Sequence, residues 1–158
     1  MLSTVKGMIQ TLSSTFRGLR RPVTKLYPEN PTVLQNRFMG FPGLTWDKNV
    51  DEPFCTGCMV CIRNCPTQCM TATMKDNPKF ADESSKRRKI VDEFEINLNR
   101  CILCGICVDV CNFDAIVMTH EHEESGISRD GSRMDLSGLL EIGGRYQTQT
   151  GWQPSSKD

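Results

Sequence analysis

The chain has 158 residues and a formal net charge of zero, and 38% of its residues are hydrophobic. This length suits one domain with appendages, and the hydrophobic share lies below the ~45–50% of ordinary globular domains. No run reaches the ~18–20 apolar residues of a membrane-spanning helix, and no apolar signal region suggests secretion or a disulfide framework. We therefore expect a soluble or peripheral protein with a small core.

The first 50 residues are basic and begin with a helical pattern. They carry seven Lys and Arg side chains against two Asp and Glu, whereas residues 51–125 carry eight against thirteen. Apolar residues recur at spacings of three and four, at Val5, Ile9, Leu12, Phe16 and Leu19. This predicts an amphipathic helix that ends before Pro22, because the residue that precedes a proline is pushed out of helical geometry.

Three interpretations of this helix remain open. A basic amphipathic helix can lie on a membrane surface or bind a partner, and we favour this interpretation. The helix could instead pack on its own domain. An N-terminus that contains arginine and serine and lacks acidic residues also resembles a mitochondrial transit peptide.

Eight of the nine cysteines follow one spacing, which occurs twice. Both copies read C-x2-C-x2-C-x3-C, and the copies are Cys55, Cys58, Cys61, Cys65 and Cys101, Cys104, Cys107, Cys111. This run binds [4Fe–4S] clusters in bacterial-type ferredoxins, and in two-cluster proteins the fourth cysteine ligates the other cluster. Zinc sites usually present cysteine pairs, often with histidines, rather than three cysteines two residues apart. We therefore predict two [4Fe–4S] clusters and an electron-transfer protein.

The same rule predicts which cysteines share a cluster. The ligands of the first cluster are Cys55, Cys58, Cys61 and Cys111, and those of the second are Cys101, Cys104, Cys107 and Cys65. The chain aligns with itself at an offset of 46 residues, so that the two cysteine runs superimpose. Duplicated halves of this kind usually pair around a pseudo-twofold axis, and each half then lends its fourth cysteine to the other.

Residues next to the cysteines are candidates for tuning the clusters. Pro66 follows the first run and Asn112 the second, so Asn112 restores a backbone N–H that proline lacks. We expect Gly57 and Gly105 to let the backbone approach a cluster closely. The ninth cysteine, Cys69, aligns with an alanine in the repeat, and we interpret it as a small apolar residue rather than a redox-active thiol or a spare ligand.

The segments around the two cysteine runs predict a mixed α+β core. Residues 70–74, 90–97 and 116–119 favour strands, and the three-residue spacer before each fourth cysteine suits a short helical turn. The polar segment 75–89 contains turn signals and predicts a surface loop, and its basic run 86–89 is interpreted as a solvated face. Three regions follow: a partner-binding segment at 1–50, a ferredoxin domain at 51–125 and an extended tail that packs on partners at 126–158.

Motifs outside the cysteine runs resemble a known family over roughly residues 7–145. The motifs are Gly7-Met8, Thr15-Phe16-Arg17, Arg21-Pro22-Val23-Thr24, Tyr27-Pro28-Glu29 and Arg37-Phe38-Met39-Gly40, with Ser128-Arg129-Asp130 and Leu139-Leu140-Glu141 in the tail. The chain resembles the 8Fe ferredoxin-like subunit I of NADH:quinone oxidoreductase, respiratory complex I. The family generally has proline after both cysteine runs, so Asn112 is a departure from its pattern.

The resemblance implies a role within a larger assembly. It implies a non-catalytic subunit that passes single electrons through two [4Fe–4S] clusters toward the quinone-reducing site. The implied partners are the other subunits of the peripheral and membrane arms and, through the N-terminal helix, the membrane surface. No nucleic acid and no directly bound small-molecule substrate are expected.

The implied location is the cytoplasmic face of a bacterial inner membrane, or the matrix face if the protein is mitochondrial. Two alternative functions remain at this point. The chain could be the equivalent subunit of a membrane-bound hydrogenase related to complex I, or a free soluble 8Fe ferredoxin.

Overall fold

The structure is a computed structural model that describes residues 2–128 and 131–154. Within these ranges, five helices lie at α1 Leu2–Arg20, α2 Val60–Arg63, α3 Pro78–Ala81, α4 Ile106–Asp109 and α5 Leu136–Thr150. The same residues contain seven strands, at β1 Pro42–Leu44, β2 Trp46–Asp47, β3 Glu52–Pro53, β4 Met70–Asp76, β5 Lys89–Asn97, β6 Ile116–Met118 and β7 Arg133–Met134. The chain divides into two compact units, Met1–Gln35 and Asn36–Asp158.

The first unit contains the amphipathic helix that the sequence predicts. Helix α1 ends at Arg20, two residues before Pro22, and has Arg17 and Arg20 in its last turn. Its apolar stripe is exposed, with Ile9 62% and Phe16 64% accessible. Within the described ranges, no helix combines the length and the apolar character needed to cross a membrane.

The second unit is a mixed α+β fold, and its described part contains three small antiparallel sheets. Strand β1 pairs with β6, and β2 pairs with β3. Strand β5 lies between β4 and β7 in the third sheet. The three segments with strand character in the sequence therefore form β4, β5 and β6. Strands β1 and β2 lie within residues 1–50, yet they belong to this second unit.

The backbone repeats several features at the 46-residue offset. Helix α2 corresponds to α4, and the start of β4 at Met70 corresponds to the start of β6 at Ile116. Gln68 and Asp114 both have positive φ values, of 50° and 48°. Equivalent positions around the two cysteine runs therefore share the same backbone conformation.

Apolar side chains and cysteines from both halves form one core. Its most deeply buried members come from β1, β5, β6 and α5, and they include Leu44, Ile96, Ile116 and Leu139. Strand β6 follows the second cysteine run, while β4 follows the first and pairs with β5. The core therefore ties the two cysteine loops to the same framework.

The C-terminal region differs from the extended tail that we expected. Residues 136–150 form helix α5, capped by the Asp135 side chain, which accepts a hydrogen bond from the Gly138 N–H at 2.9 Å. The helix packs on β1 of its own chain. The helix also contacts β2, where the Gln147 amide receives a hydrogen bond from the Trp46 N–H at 2.9 Å and donates one to the Trp46 carbonyl at 3.1 Å. The expectation of an extended tail was wrong here because α5 buries its apolar face on this chain.

The basic run 86–89 also differs from a uniformly solvated face. The Arg87 guanidinium lies 2.6 Å from the Glu52 carboxylate and 2.8 Å from the Asp47 carboxylate. Glu52 is 2% exposed and also accepts hydrogen bonds from Ser85 at 2.6 Å and Asn77 at 2.9 Å. These bonds attach the loop between the two halves to the β2–β3 hairpin.

Burial acts to raise the pKa of Glu52, but hydrogen bonds from Ser85 and Asn77 and the ion pair with Arg87 outweigh it and hold the pKa below its ordinary value. The lowered pKa means that the Glu52 carboxylate stabilises the fold at neutral pH. This contribution is lost as the pH falls through the folded-state pKa.

Candidate metal centres

The first cysteine loop curls around its three leading cysteines through two left-handed residues. Gly57 has a φ of 72°, and Met59, which precedes helix α2, has a φ of 62°. Left-handed backbone is common for glycine and costly for other residues. A Cβ at Gly57 would also lie 2.9 Å from the Met74 Cβ, so strand β4 leaves no room for a side chain. The positive φ and the contact with Met74 both require glycine at position 57, whereas its close approach to a cluster stays a prediction.

The second loop has the same shape with the glycine at the other position. Leu103 has a φ of 54°, and Gly105, which precedes helix α4, has a φ of 76°. A Cβ at Gly105 would meet only the terminal Cε of Met39, at 2.6 Å. That methyl group ends a flexible side chain and can move aside. Glycine is therefore required at position 105 mainly by its positive φ.

Two cavities, each walled by four of the repeated cysteines, lie behind these loops. Cys55, Cys58, Cys61 and Cys111 line one of them, together with Phe94, Phe113 and Ile116. Cys65, Cys101, Cys104 and Cys107 line the other, together with Cys69, Pro66 and Met118. Each cavity therefore contains three cysteines from one half and the fourth from the other half.

The donor set is the one that an iron–sulfur cluster uses. Four thiols of the repeated cysteines line each cavity, and the rest of each lining is mainly apolar. Four cysteine thiolates are the usual ligands of a [4Fe–4S] cluster. The residues present fit one [4Fe–4S] cluster in each cavity.

Burial makes the metal-free thiols poor at ionising. It raises the pKa of Cys55 and of Cys107 to about 12, and that of Cys61 to about 11. Neighbouring cysteines raise these pKa values further. These thiols are protonated at neutral pH until iron displaces the proton, so cluster binding releases protons. Cluster binding also stabilises the fold, because the unfolded chain has no preformed site.

The fourth cysteine of each run accepts hydrogen bonds, but the two sets of donors differ. Cys111 Sγ accepts from the Ala115 backbone N–H at 3.3 Å. Cys65 Sγ lies 3.5 Å from Thr67 Oγ1 and 3.6 Å from Cys69 Sγ. Burial acts to raise the pKa of Cys65, yet hydrogen bonds from Thr67 and Cys69 outweigh it and lower the pKa below its ordinary value.

The two centres lie side by side but differ in exposure. Helices α2 and α4 pack against each other and carry Cys61 and Cys107, one from each cavity. Cys55 is buried in the first cavity, whereas Cys104 of the second is exposed beside Ile102, which is 61% accessible. The second centre is therefore nearer to solvent on this chain.

The other candidate residues are placed as follows. Pro66 is exposed and lines the second cavity. Asn112 is exposed, and the N–H that reaches Cys111 belongs to Ala115 rather than to Asn112. A role of Asn112 in setting a potential therefore stays a prediction. Cys69 is buried, as expected of a small apolar residue, but it also touches Cys65. Thr67 also contacts Cys65, and its position two residues after a ligand is the sequence signal that could have indicated it.

Comparisons with known proteins agree with this geometry. Residues 54–115 match the family model described as a 4Fe-4S dicluster domain. The chain is 33% identical to NADH-quinone oxidoreductase subunit I 2 of Geobacter metallireducens, in an alignment that covers 87% of this chain and 95% of the relative. The chain belongs to the NADH-quinone oxidoreductase subunit I family. The resemblance inferred from the sequence motifs is thus confirmed.

Two other members of the subunit I family are longer than this chain. The relative in Symbiobacterium thermophilum is 32% identical over 90% of this chain, and the one in Streptomyces coelicolor is 35% identical over 74%. The alignments cover 58% of each of these two relatives, so the chain spans little more than half of their length.

Proposed function

We propose that this chain is the electron-relay subunit of a membrane-associated NADH:quinone oxidoreductase. A [4Fe–4S] cluster accepts and releases one electron at a time, and the protein sets its spacing, burial and potential. The observation that carries the proposal is the pair of adjacent four-cysteine cavities. It occurs in a chain whose relatives are named as subunit I of this oxidoreductase.

We propose the crossed ligand assignment as part of this function. One cluster is ligated by Cys55, Cys58, Cys61 and Cys111, and the other by Cys101, Cys104, Cys107 and Cys65. The lining of the two cavities supports these sets. The backbone features that recur at the 46-residue offset support a pseudo-twofold relation between the halves. Gly57 and Gly105 turn the two loops.

Replacing one crossing cysteine at a time tests the assignment. Cys65→Ser should alter the EPR signal of the cluster held by Cys101, Cys104 and Cys107, and Cys111→Ser should alter only the other signal. Serine keeps the size of the side chain but is a much weaker iron ligand than a thiolate. Loss of the Cys55-containing cluster in the Cys65 variant would contradict the crossed assignment.

The partners that we propose are the other subunits of the peripheral and membrane arms. Helix α1 supports a membrane contact, because it combines an exposed apolar stripe with Arg17 and Arg20. We place the chain as a peripheral protein on the cytoplasmic face of a bacterial inner membrane. We also propose residues 1–50, 51–125 and 126–158 as the partner-binding, ferredoxin and C-terminal regions, with β1, β2 and α5 contributing to the ferredoxin unit.

Purification of the full chain from membranes in mild detergent separates this function from the alternatives. A subunit of the oxidoreductase copurifies with large partners and with NADH-dependent quinone reduction. A hydrogenase subunit copurifies with hydrogen-dependent activity instead. A free ferredoxin stays in the soluble fraction as a small brown monomer, which would overturn the proposal.

A further inference from the structure

The cysteine that crosses from the first half to the second cavity has two side chains beside its sulfur. Thr67 Oγ1 lies 3.5 Å and Cys69 Sγ lies 3.6 Å from Cys65 Sγ. Cys69 is only 7% exposed, and all three residues line the same cavity. The Cys69 thiol is therefore shielded from water, whereas Thr67 and Cys65 are half-buried.

The equivalent cysteine in the other half has no such side chains. At the 46-residue offset, Thr67 corresponds to Phe113, and Cys69 corresponds to Ala115. Neither a phenyl ring nor a methyl group can donate a hydrogen bond. The Ala115 backbone N–H remains, and it donates to Cys111 at 3.3 Å. The two halves thus differ by two side-chain donors at otherwise equivalent positions.

The direction of these two hydrogen bonds follows from the role of Cys65. A cysteine that ligates iron is a thiolate, and a thiolate sulfur can only accept. The Thr67 hydroxyl and the Cys69 thiol must then be the donors. One-electron reduction breaks no bond and adds one negative charge, which is shared among iron and sulfur atoms. Donors to a ligating sulfur stabilise this reduced form more than the oxidised form, and so raise the reduction potential.

We propose that Thr67 and Cys69 are positioning residues that raise the reduction potential of the cluster ligated through Cys65. They act through hydrogen bonds to Cys65 and do not ligate iron themselves. The repeated motif would otherwise make the two centres alike, and these two donors are one built-in difference between them. The proposal rests on the crossed ligand assignment of the proposed function.

The test is a redox titration of the full-length chain, purified anaerobically with its clusters and reduced with dithionite. EPR follows each cluster separately, and Cys58→Ser and Cys104→Ser identify which signal belongs to which cavity. Thr67→Val removes a hydroxyl at nearly constant shape, and Cys69→Ala copies the residue at position 115. Each variant should lower the midpoint potential of the Cys104 cluster and leave that of the Cys58 cluster unchanged.

Rescue and transfer variants separate hydrogen bonding from packing. Thr67→Ser keeps the hydroxyl, so its midpoint potential should lie closer to that of the unmodified chain than the Thr67→Val value does. Ala115→Cys installs the missing thiol beside Cys111 and should raise the midpoint potential of the Cys58 cluster alone. The transfer variant remains informative even where a variant at Thr67 or Cys69 fails to assemble its cluster.

Two results would overturn the proposal. One is an unchanged midpoint potential for the Cys104 cluster in both donor-removing variants, with that cluster intact. The other is an equal shift of both clusters, which indicates a general loosening of the fold. Failure of the ligand assignment is a separate result, because Cys65→Ser would then alter the Cys58 signal, whichever way the donors act.

Discussion

Helix α5 comes so close to strand β1 that one methyl group should separate them. A Cβ built on Gly143 would lie 1.9 Å from the Leu44 carbonyl oxygen and 2.6 Å from the Leu44 carbonyl carbon. Both atoms belong to the backbone, so no side chain can turn aside to make room. Gly144, the next residue of the same helix, would meet nothing within 4 Å. Gly143→Ala and Gly144→Ala are therefore a matched pair.

The two substitutions should change the stability of the protein in opposite directions. Alanine is better than glycine in a helix by ~0.8–1 kcal/mol, so Gly144→Ala should stabilise the protein by up to about 1 kcal/mol. Overpacking of a filled contact costs ~1–3 kcal/mol. At Gly143 the helix must also withdraw Leu139 and Ile142, each worth about 1.5–3 kcal/mol when fully buried. We expect a net loss of about 2 kcal/mol or more for Gly143→Ala.

Unfolding with loss of iron is irreversible, so the stability difference between the two variants is measured as a rate. The rate is that at which the visible absorbance of the clusters disappears in guanidinium. A gap of about 3 kcal/mol corresponds to a roughly 100-fold faster loss in the Gly143 variant than in the Gly144 variant, if α5 detaches before the clusters are lost. Equal rates for the two variants would refute the reasoning and show that the close approach of α5 and β1 is not maintained.

Three further predictions concern other parts of the chain. Phe16→Asp puts a charge on the apolar stripe of α1, so it should release the chain from membranes with both clusters retained. Recovery of this variant in the membrane fraction at the level of the unmodified chain would argue against α1 as an interface helix. Gly57→Ala should lose cluster absorbance faster than Gly105→Ala, because only Gly57 faces rigid neighbours, and the reverse order would contradict the geometry. Arg87→Met leaves buried carboxylates uncompensated and should destabilise the chain by ~3–5 kcal/mol. The control is Lys86→Met, at an exposed neighbouring residue, and it should change stability by less than ~0.5 kcal/mol. Similar rates of cluster loss in guanidinium for these last two variants would show that the buried ion pairs are not needed.

Several features were predictable because they depend on short stretches of sequence. Cysteine spacing indicated the cluster type, and the segments after each run indicated β4 and β6. The stripe from Val5 to Leu19, together with Pro22, indicated helix α1 and its end. Each of these signals is local, since helical period, strand propensity and proline geometry act over a few residues.

The role of Arg87 could not be predicted in this way. In the sequence it is one of four consecutive basic residues, and such runs are usually solvated. Its partners Glu52 and Asp47 lie 35 and 40 residues away along the chain. Only the folded hairpin brings their carboxylates to the guanidinium, and the burial of Glu52 distinguishes Arg87 from its neighbours.

The sequence by itself determined the chemistry of this protein, because two cysteine runs with one spacing specify the type of cluster and the number of clusters. The tertiary structure decided how the two centres differ and how the C-terminal region is used. Thr67 and Cys69 gain a role only when the turn brings them to Cys65, and Gly143 matters only because Leu44 meets it across 99 residues of chain. Contacts of these kinds depend on the packing of side chains and backbone in three dimensions, which spacing and propensity do not encode.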